Sequence, residues 1–178
     1  LAGEAGSPPG IQTLDMNTGQ FTDGRLIGGL PSSVINGFGE TNNILYIATD
    51  GGVGRWNYSE NDWMDALTTG NGLPSSIIED VLVLSGTVYF ATPQGLVAWD
   101  EATATASVID TNDGLLGNSA WGLTVQNPSG INPMLVIGHD GRGVERPGVS
   151  LVDPTTNAVD STHRFVFPCT FVISITCN

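Results

Sequence analysis

Residues 72–104 read "GLPSSIIEDVLVLSGTVYFATPQGLVAWDEATA", and residues 29–61 have already said "GLPSSVINGFGETNNILYIATDGGVGRWNYSEN". A degraded third opening, "GLLGNSA", stands at residues 114–120, so the openings fall at Gly29, Gly72 and Gly114, steps of 43 and 42 residues. Repetition at a fixed period means that one supersecondary unit recurs because it cannot bury its apolar surface alone. Behind each opening comes a short apolar run: "NNILYIATDGG" (42–52), "GTVYFATPQG" (86–95) and "NPMLVIGHDG" (132–141). These runs are rich in β-branched and aromatic residues and close on glycine, which is the pattern of a buried strand ending in a turn. A second strand follows in "VGRWNYSENDW", "LVAWDEATATA" and "VSLVDPTTNAV", and "IQTLDMNTGQF" near the N-terminus has the same form.

Asp15, Asn57, Asp100 and Asp153 therefore share one position, at spacings of 42, 43 and 53 residues. An Asp or Asn side chain there is expected to accept hydrogen bonds from backbone N–H groups two residues on and so hold a hairpin turn. Gly51, Gly95 and Gly141 are expected to supply the positive φ of the preceding turn. Pro31 and Pro74 fix φ and withhold a donor, which predicts a clean strand start just after each. In the second repeat the strands are expected near Ile77–Leu84, Thr87–Thr92, Leu96–Asp100 and Ala106–Ile109. No window shows the helical apolar spacing.

Four short antiparallel strands per unit, at a period of roughly 40–45 residues, is the signature of a β-propeller blade. The fold class is thus all-β, with about three full blades and a partial N-terminal one. The divisions expected are an N-terminal extension at 1–10, two outer strands of a partial blade at 11–28, and blades at 29–71, 72–113 and 114–163. The last blade carries a loop insertion at 126–148, and a tail occupies 164–178. The tail has no glycine or blade motif and its only charge is Arg164. It could supply the inner strands missing from the N-terminal blade and close a four-bladed ring, or be an end foreign to the blade design. In the second case two copies pairing head-to-tail would complete the ring as a homodimer.

Composition narrows the partners. Net charge is −13, with 18 acidic residues against five arginines and no lysine. Such a surface repels phosphate backbones and anionic lipid heads, so neither nucleic acid nor a membrane surface is an expected partner. Cationic ligands, metal ions and basic proteins are electrostatically easier, and the acidity is compatible with a saline habitat. Cys169 and Cys177 lie near the C-terminus and do not decide a redox compartment. No stretch reaches the roughly 18 apolar residues of a membrane span, and no basic segment precedes a short apolar one as in a signal peptide. The chain opens at Leu1 without a methionine, which suggests a processed or excised piece of something longer.

The pieces "GLPSS…ILYIATDGGVGRWN" and "GLPSS…TVYFATPQGLVAWD" resemble the two-component regulator propeller repeat. In that repeat a Gly-Leu-Pro-Ser opening leads to an aromatic-aliphatic strand, Gly-Thr or Ala-Thr, a Gly-Leu and a terminal Tyr/Trp-Asp. The likeness covers about Gly29 to Asp113 closely and Gly114 to Asp160 loosely. The third copy departs by Leu116-Gly117 in place of Pro-Ser, by His139 in place of threonine and by its insertion. The resemblance implies an extracellular or periplasmic propeller that senses a ligand or mediates interaction, usually as part of a larger chain, and it does not imply an enzyme.

His139 and His163 are the only histidines. His139 falls in "GHDGRGVERPG" beside Asp140, Arg142, Glu145 and Arg146, the densest charged cluster in the chain. Two readings apply to it. As a binding loop it would use these five residues on a protein or glycan ligand, or set His139 among carboxylates as in a propeller hydrolase or lyase. As a solvated hairpin its charges would pair among themselves, and the tolerance of surface loops to insertion favours that reading. "DTNDG" (110–114) lacks the spacing and distal glutamate of a calcium-binding EF-hand loop and reads as a turn between blades, although it could hold calcium weakly through carboxylate and carbonyl oxygens. No paired carboxylates, nucleophile elbow, phosphate loop or dinucleotide fingerprint appears, so no catalytic residue, cofactor or resident metal is assigned. Trp56, Trp99, Tyr46 and Tyr89 recur at repeat spacing and are read as packing between blades.

Overall fold

The computed structural model of the protein describes residues 10–21, 26–127, 132–140 and 148–166. Strands β1 (Gly10–Ile11) and β2 (Leu26–Ile27) pair antiparallel as a short ribbon, extended by a bridge between Leu14 and Phe21. Three four-stranded antiparallel meanders follow. The first contains β3 (Ile35–Thr41), β4 (Ile44–Thr49), β5 (Gly52–Asn57) and β6 (Asp62–Leu67); the second β7 (Asp80–Leu84), β8 (Thr87–Thr92), β9 (Gly95–Asp100) and β10 (Thr105–Ile109); the third β11 (Ala120–Gln126), β12 (Met134–His139), β13 (Gly148–Val152) and β14 (Val159–Val166). Each strand pairs with its neighbour in sequence, and β7 packs against β3 on one side and β11 on the other. The molecule is a β-propeller, with three complete blades among the described residues.

The stacking explains why both faces of the middle blade are apolar. Side chains alternate across a strand, so Val88 and Phe90 of β8, with Val97 and Trp99 of β9, join Tyr46, Ala48 and Val53 in the core between the first two blades. Tyr89, Ala91, Leu96 and Ala98 point the other way and meet Leu135, Ile137 and Val152 of the third blade. Each fully buried large side chain contributes about 1.5–3 kcal/mol, and blade pairing supplies that burial. On β3, Gly37 and Gly39 face Asp80, Val81 and Val83 of the second blade, whereas Phe38, on the opposite side of the strand, is 53% exposed.

The repeated opening does something other than start a strand. Gly29, Gly72 and Gly114 all have positive φ, at 65°, 90° and 108°, and the left-handed turn at each sends the next leucine inward. Leu73 and Leu115 are buried in the two inter-blade cores, and Leu30 lies against Gly54. The serines then bend the chain, Ser32 Oγ accepting from Val34 N (3.2 Å) and Ser75 Oγ from Ile77 N (3.0 Å). The expectation of a strand from Ile77 is thus corrected to Asp80. Ile78 is itself a core plug whose N–H donates to Thr49 O of the preceding blade, at 2.9 Å. Positive φ in the β4–β5 turn falls on Gly52 (130°), not Gly51, and a Cβ at residue 52 would also run into the Leu67 carbonyl, so only glycine fits there. Gly95 bears it as expected, and Gly141 lies outside the described residues. Residues 164–166 belong to β14, with Phe165 and Val166 opposite Val149 and Gly148, so the tail expected from residue 164 begins inside the third blade. The tail from residue 167 on, with Cys169 and Cys177, lies outside the described residues.

The polar corner forms as its chemistry requires. Asp15 Oδ1 accepts from Asn17 N (2.8 Å), Asn57 Oδ1 from Ser59 N (2.9 Å), Asp100 Oδ1 from Ala102 N (2.9 Å) and Asp153 Oδ1 from Thr155 N (2.8 Å). The three carboxylates are held below the usual carboxylate range, Asp15 and Asp153 chiefly by the backbone N–H groups of Asn17 and Thr155, and Asp100 chiefly by the Thr103 side chain. Their stabilisation is complete above the unfolded pKa of about 4 and is lost as pH falls through the lower folded values. Asp80 has the opposite sign. Burial pushes its carboxyl up, although Oδ1 accepts from Val81 N (2.8 Å) and Oδ2 from Leu123 N (2.9 Å). Its contribution is present below the unfolded pKa and lost as pH rises through the raised one. The windows do not overlap, because Asp80 titrates above the unfolded value and the other three below it, so the urea midpoint is expected to fall as the pH drops below about 4. Asp153→Asn, which can cap its turn as Asn57 does, should flatten that decline; a variant profile parallel to the wild type would refute the assignment.

Candidate functional site

The apolar strand of each of the first two blades carries a tyrosine whose hydroxyl reaches the corner of the next blade. Tyr46 OH donates to Glu101 Oε2 at 2.8 Å, and Tyr89 OH donates to Pro154 O at 3.1 Å. Burial pushes both phenols up, and the Glu101 carboxylate adds to the shift of Tyr46. Glu101 also accepts from Trp99 Nε1 (2.6 Å) and forms an ion pair with Arg55 Nη1 (2.6 Å). Arg55 is buried, and its Nε and Nη2 donate to Asp65 O at 3.0 and 2.7 Å. One carboxylate on the second blade thus gathers two donors from the first and one from its own blade.

This junction forms the wall of a groove of about 410 Å³. Turns from all three blades line it: Asn42 between β3 and β4, Gly86 between β7 and β8, the last residue of β9, Asp100, with Glu101 and Ala102 after it, and Pro154, Thr155 and Asn157 between β13 and β14. The hairpins that bring Asn42 and Gly86 there turn through left-handed pairs, Asn42-Asn43 and Ser85-Gly86, the conformation that suits the twist of a tight hairpin. Hydroxyls of Thr87, Thr105 and Ser107 complete the polar lining. Trp99 and Tyr89 also line it, but they are 2% and 0% exposed, so neither presents a ring face. Among the described residues no arginine or histidine lines the groove.

The charged loop is placed differently. His139 ends β12 and is 1% exposed, with Nδ1 3.1 Å from Ser119 O and Nε2 2.9 Å from Ser150 Oγ. The Ser119 carbonyl can only accept, so Nδ1–H donates to it, and in the neutral ring Nε2 accepts from the Ser150 hydroxyl, whose oxygen also accepts from Leu116 N (3.0 Å). His139 stands where the other blades have Thr49 and Thr92, whose hydroxyls donate across the β-turn to Gly52 O and Gly95 O at 2.7 Å. It ties the third blade's opening segment to β13 and offers no ring nitrogen to a ligand in the groove. Asp140 follows β12 half-buried, while Arg142, Glu145 and Arg146 lie outside the described residues. In the 110–114 turn, Asp110 Oδ1 accepts from Asn112 N (2.6 Å) and Asp113 Oδ2 from Asp110 N (3.0 Å). Glu101 was missed from sequence. Its signal was a departure from the repeat: the residue after the corner is Met16, Tyr58 and Pro154 in the other copies.

No family model matches the chain, and no curated protein does. Solved structures do. The chain superposes on the extracellular domain of a protein assigned as a one-component system from B. thetaiotaomicron with a TM-score of 0.66 at 16% identity, over 90% of this chain and 20% of that one. The extracellular domain of a protein assigned as a hybrid two-component system from the same organism gives 0.66 at 16% identity, over 96% of this chain and 26% of the other. Hydrazine synthase of Kuenenia stuttgartiensis gives 0.62 at 14% identity, over 89% and 43%. The chain spans less than half the length of each. At such identity the likeness is one of fold, and the fold occurs both in extracellular domains assigned to signalling systems and in an enzyme. Among the described residues no helix is long and apolar enough to cross a membrane.

Proposed function

We propose that the protein is an extracytoplasmic β-propeller binding module, of the sensing or interaction kind, that takes its ligand in the groove between the blade corners. The observation that carries this reading is the groove itself: turns from three blades converge on one polar concavity of about 410 Å³, and their strands are fixed by two inter-blade cores. Loops presented by a rigid scaffold are the common form of a binding site, and the volume falls within the usual range for small ligands. The resemblance of the repeats to the two-component regulator propeller repeat supports an extracellular or periplasmic setting. So does the likeness to extracellular domains assigned to signalling systems.

A test fills the groove without touching the core. Ser107 is exposed on β10 and lines the groove, so Ser107→Trp is expected to change stability by no more than about 0.5 kcal/mol. A thermal-shift screen of soluble saccharides, amino acids and amines should yield ligands that raise the melting temperature of the wild type but not of Ser107→Trp. Ligands that stabilise both proteins equally would place the binding site elsewhere. A screen without any ligand would leave the domain with a structural role and overturn the reading.

A further inference from the structure

We propose that the groove is selective for a small ligand bearing a protonated amine or guanidinium, with Asp100 and Glu101 as its counter-ions. This rests on the reading of the groove as the binding site. The charged lining is all of one sign: Asp100 and Glu101 are its ionisable acids, and no described arginine or histidine balances them from the groove wall. The single base in contact, Arg55, approaches Glu101 from inside the first blade and is itself buried. The charge of the whole chain, −13, adds a field of the same sign. An anion entering this groove would be repelled by Asp100, and by Glu101 as far as its ion pair with Arg55 leaves it charged, whereas a cation would be drawn in.

Hydrogen-bonding capacity points the same way. A carboxylate offers about four acceptor sites. Glu101 fills three from within the protein, with Tyr46 OH, Trp99 Nε1 and Arg55 Nη1, and its side chain remains 26% exposed where it lines the groove. The fourth site calls for a donor. Asp100 is exposed at the same wall and is followed there by Ala102. Neutral sugars commonly use an aromatic face for their apolar side, and the rings of Trp99 and Tyr89 present none. The groove therefore rewards charge and donors over apolar contact.

The variant that separates these ligands is supplied by the repeat. Asn57 caps the first blade's corner as Asp100 caps the second, so Asp100→Asn removes the charge and keeps the turn. Putrescine, arginine amide, glucose and glutarate would be titrated calorimetrically into the full chain at low ionic strength. Putrescine or arginine amide should bind, with affinity reduced about fivefold or more by Asp100→Asn and again by about 0.5 M salt. Glu60→Gln, which removes an exposed acid in the turn between β5 and β6 outside the groove, should leave affinity unchanged. Equal weakening by Glu60→Gln and Asp100→Asn would mean diffuse attraction to an acidic surface and would overturn the proposal. So would amines that fail to bind. Glucose binding that Ser107→Trp abolishes, with the amines silent, would sink the cationic class while the groove stood as the site. Silence from all four probes, with Ser107→Trp also without effect in the wider screen, would remove both.

Discussion

Leu73→Ala is expected to lower the unfolding free energy by about 3 kcal/mol, whereas Pro74→Ala, one residue on, should cost less than about 1 kcal/mol. The difference tests what the repeated opening is for. Leu73 is 3% exposed and packs with Ile78, Val53, Leu67 and Trp99 between the first two blades. Truncating it removes the transfer free energy of three carbons, a methine and two methyls, and leaves a cavity that two sheets, each held by its own ladder, cannot close by collapsing. Pro74 is half-buried and only restricts a segment that Gly72 and Ser75 already turn. Urea unfolding of both variants decides the matter. A larger loss from Pro74→Ala would mean that chain restraint, and not the leucine plug, explains the motif.

Glu101→Ala is expected to cost about 2–4 kcal/mol. It strands three donors at once, the Tyr46 hydroxyl, the Trp99 indole N–H and one Arg55 nitrogen. Arg55, 9% exposed, would lose its only ion-pair partner among the described residues. The lower end of the range applies if water enters from the groove side, where Glu101 is partly open. Because the donors come from two blades, the loss should be shared. Tyr46→Phe should cost about 1 kcal/mol in the wild type and close to nothing in the Glu101→Ala background, a coupling a double-mutant cycle reads directly. Additive losses would show that Tyr46 and Glu101 act independently and that the junction is not a single network.

Much of the architecture was visible in the residues because it is written in short-range terms. Alternation along "TVYFAT" and "GLVAWD" places apolar groups on both faces of one sheet, and only flanking sheets on both sides satisfy that. The corner residues Asp15, Asn57, Asp100 and Asp153 were recognisable because their hydrogen bonds close within three residues. The opening motif was misread for the converse reason. Its proline suggested a local strand start, but the residue that matters is the leucine, whose partners lie across a blade boundary. His139 was drawn to attention by the charges that follow it in sequence, yet it sits at the threonine position of the repeat and turns inward to Ser119 and Ser150.

Strand order, blade period and turn caps depend on neighbours a few residues apart, and the chain's own pattern of alternation, glycine and Asx residues determined them. The groove depends on the angle at which one sheet stacks on the next. That angle brings Asn42, Gly86, Glu101 and Asn157 to one wall and points Tyr46 and Arg55 at a carboxylate some fifty residues on, with separations of 55 and 46. No local signal encodes such a meeting, because it is the packed cores on either side of the middle blade that set the distance.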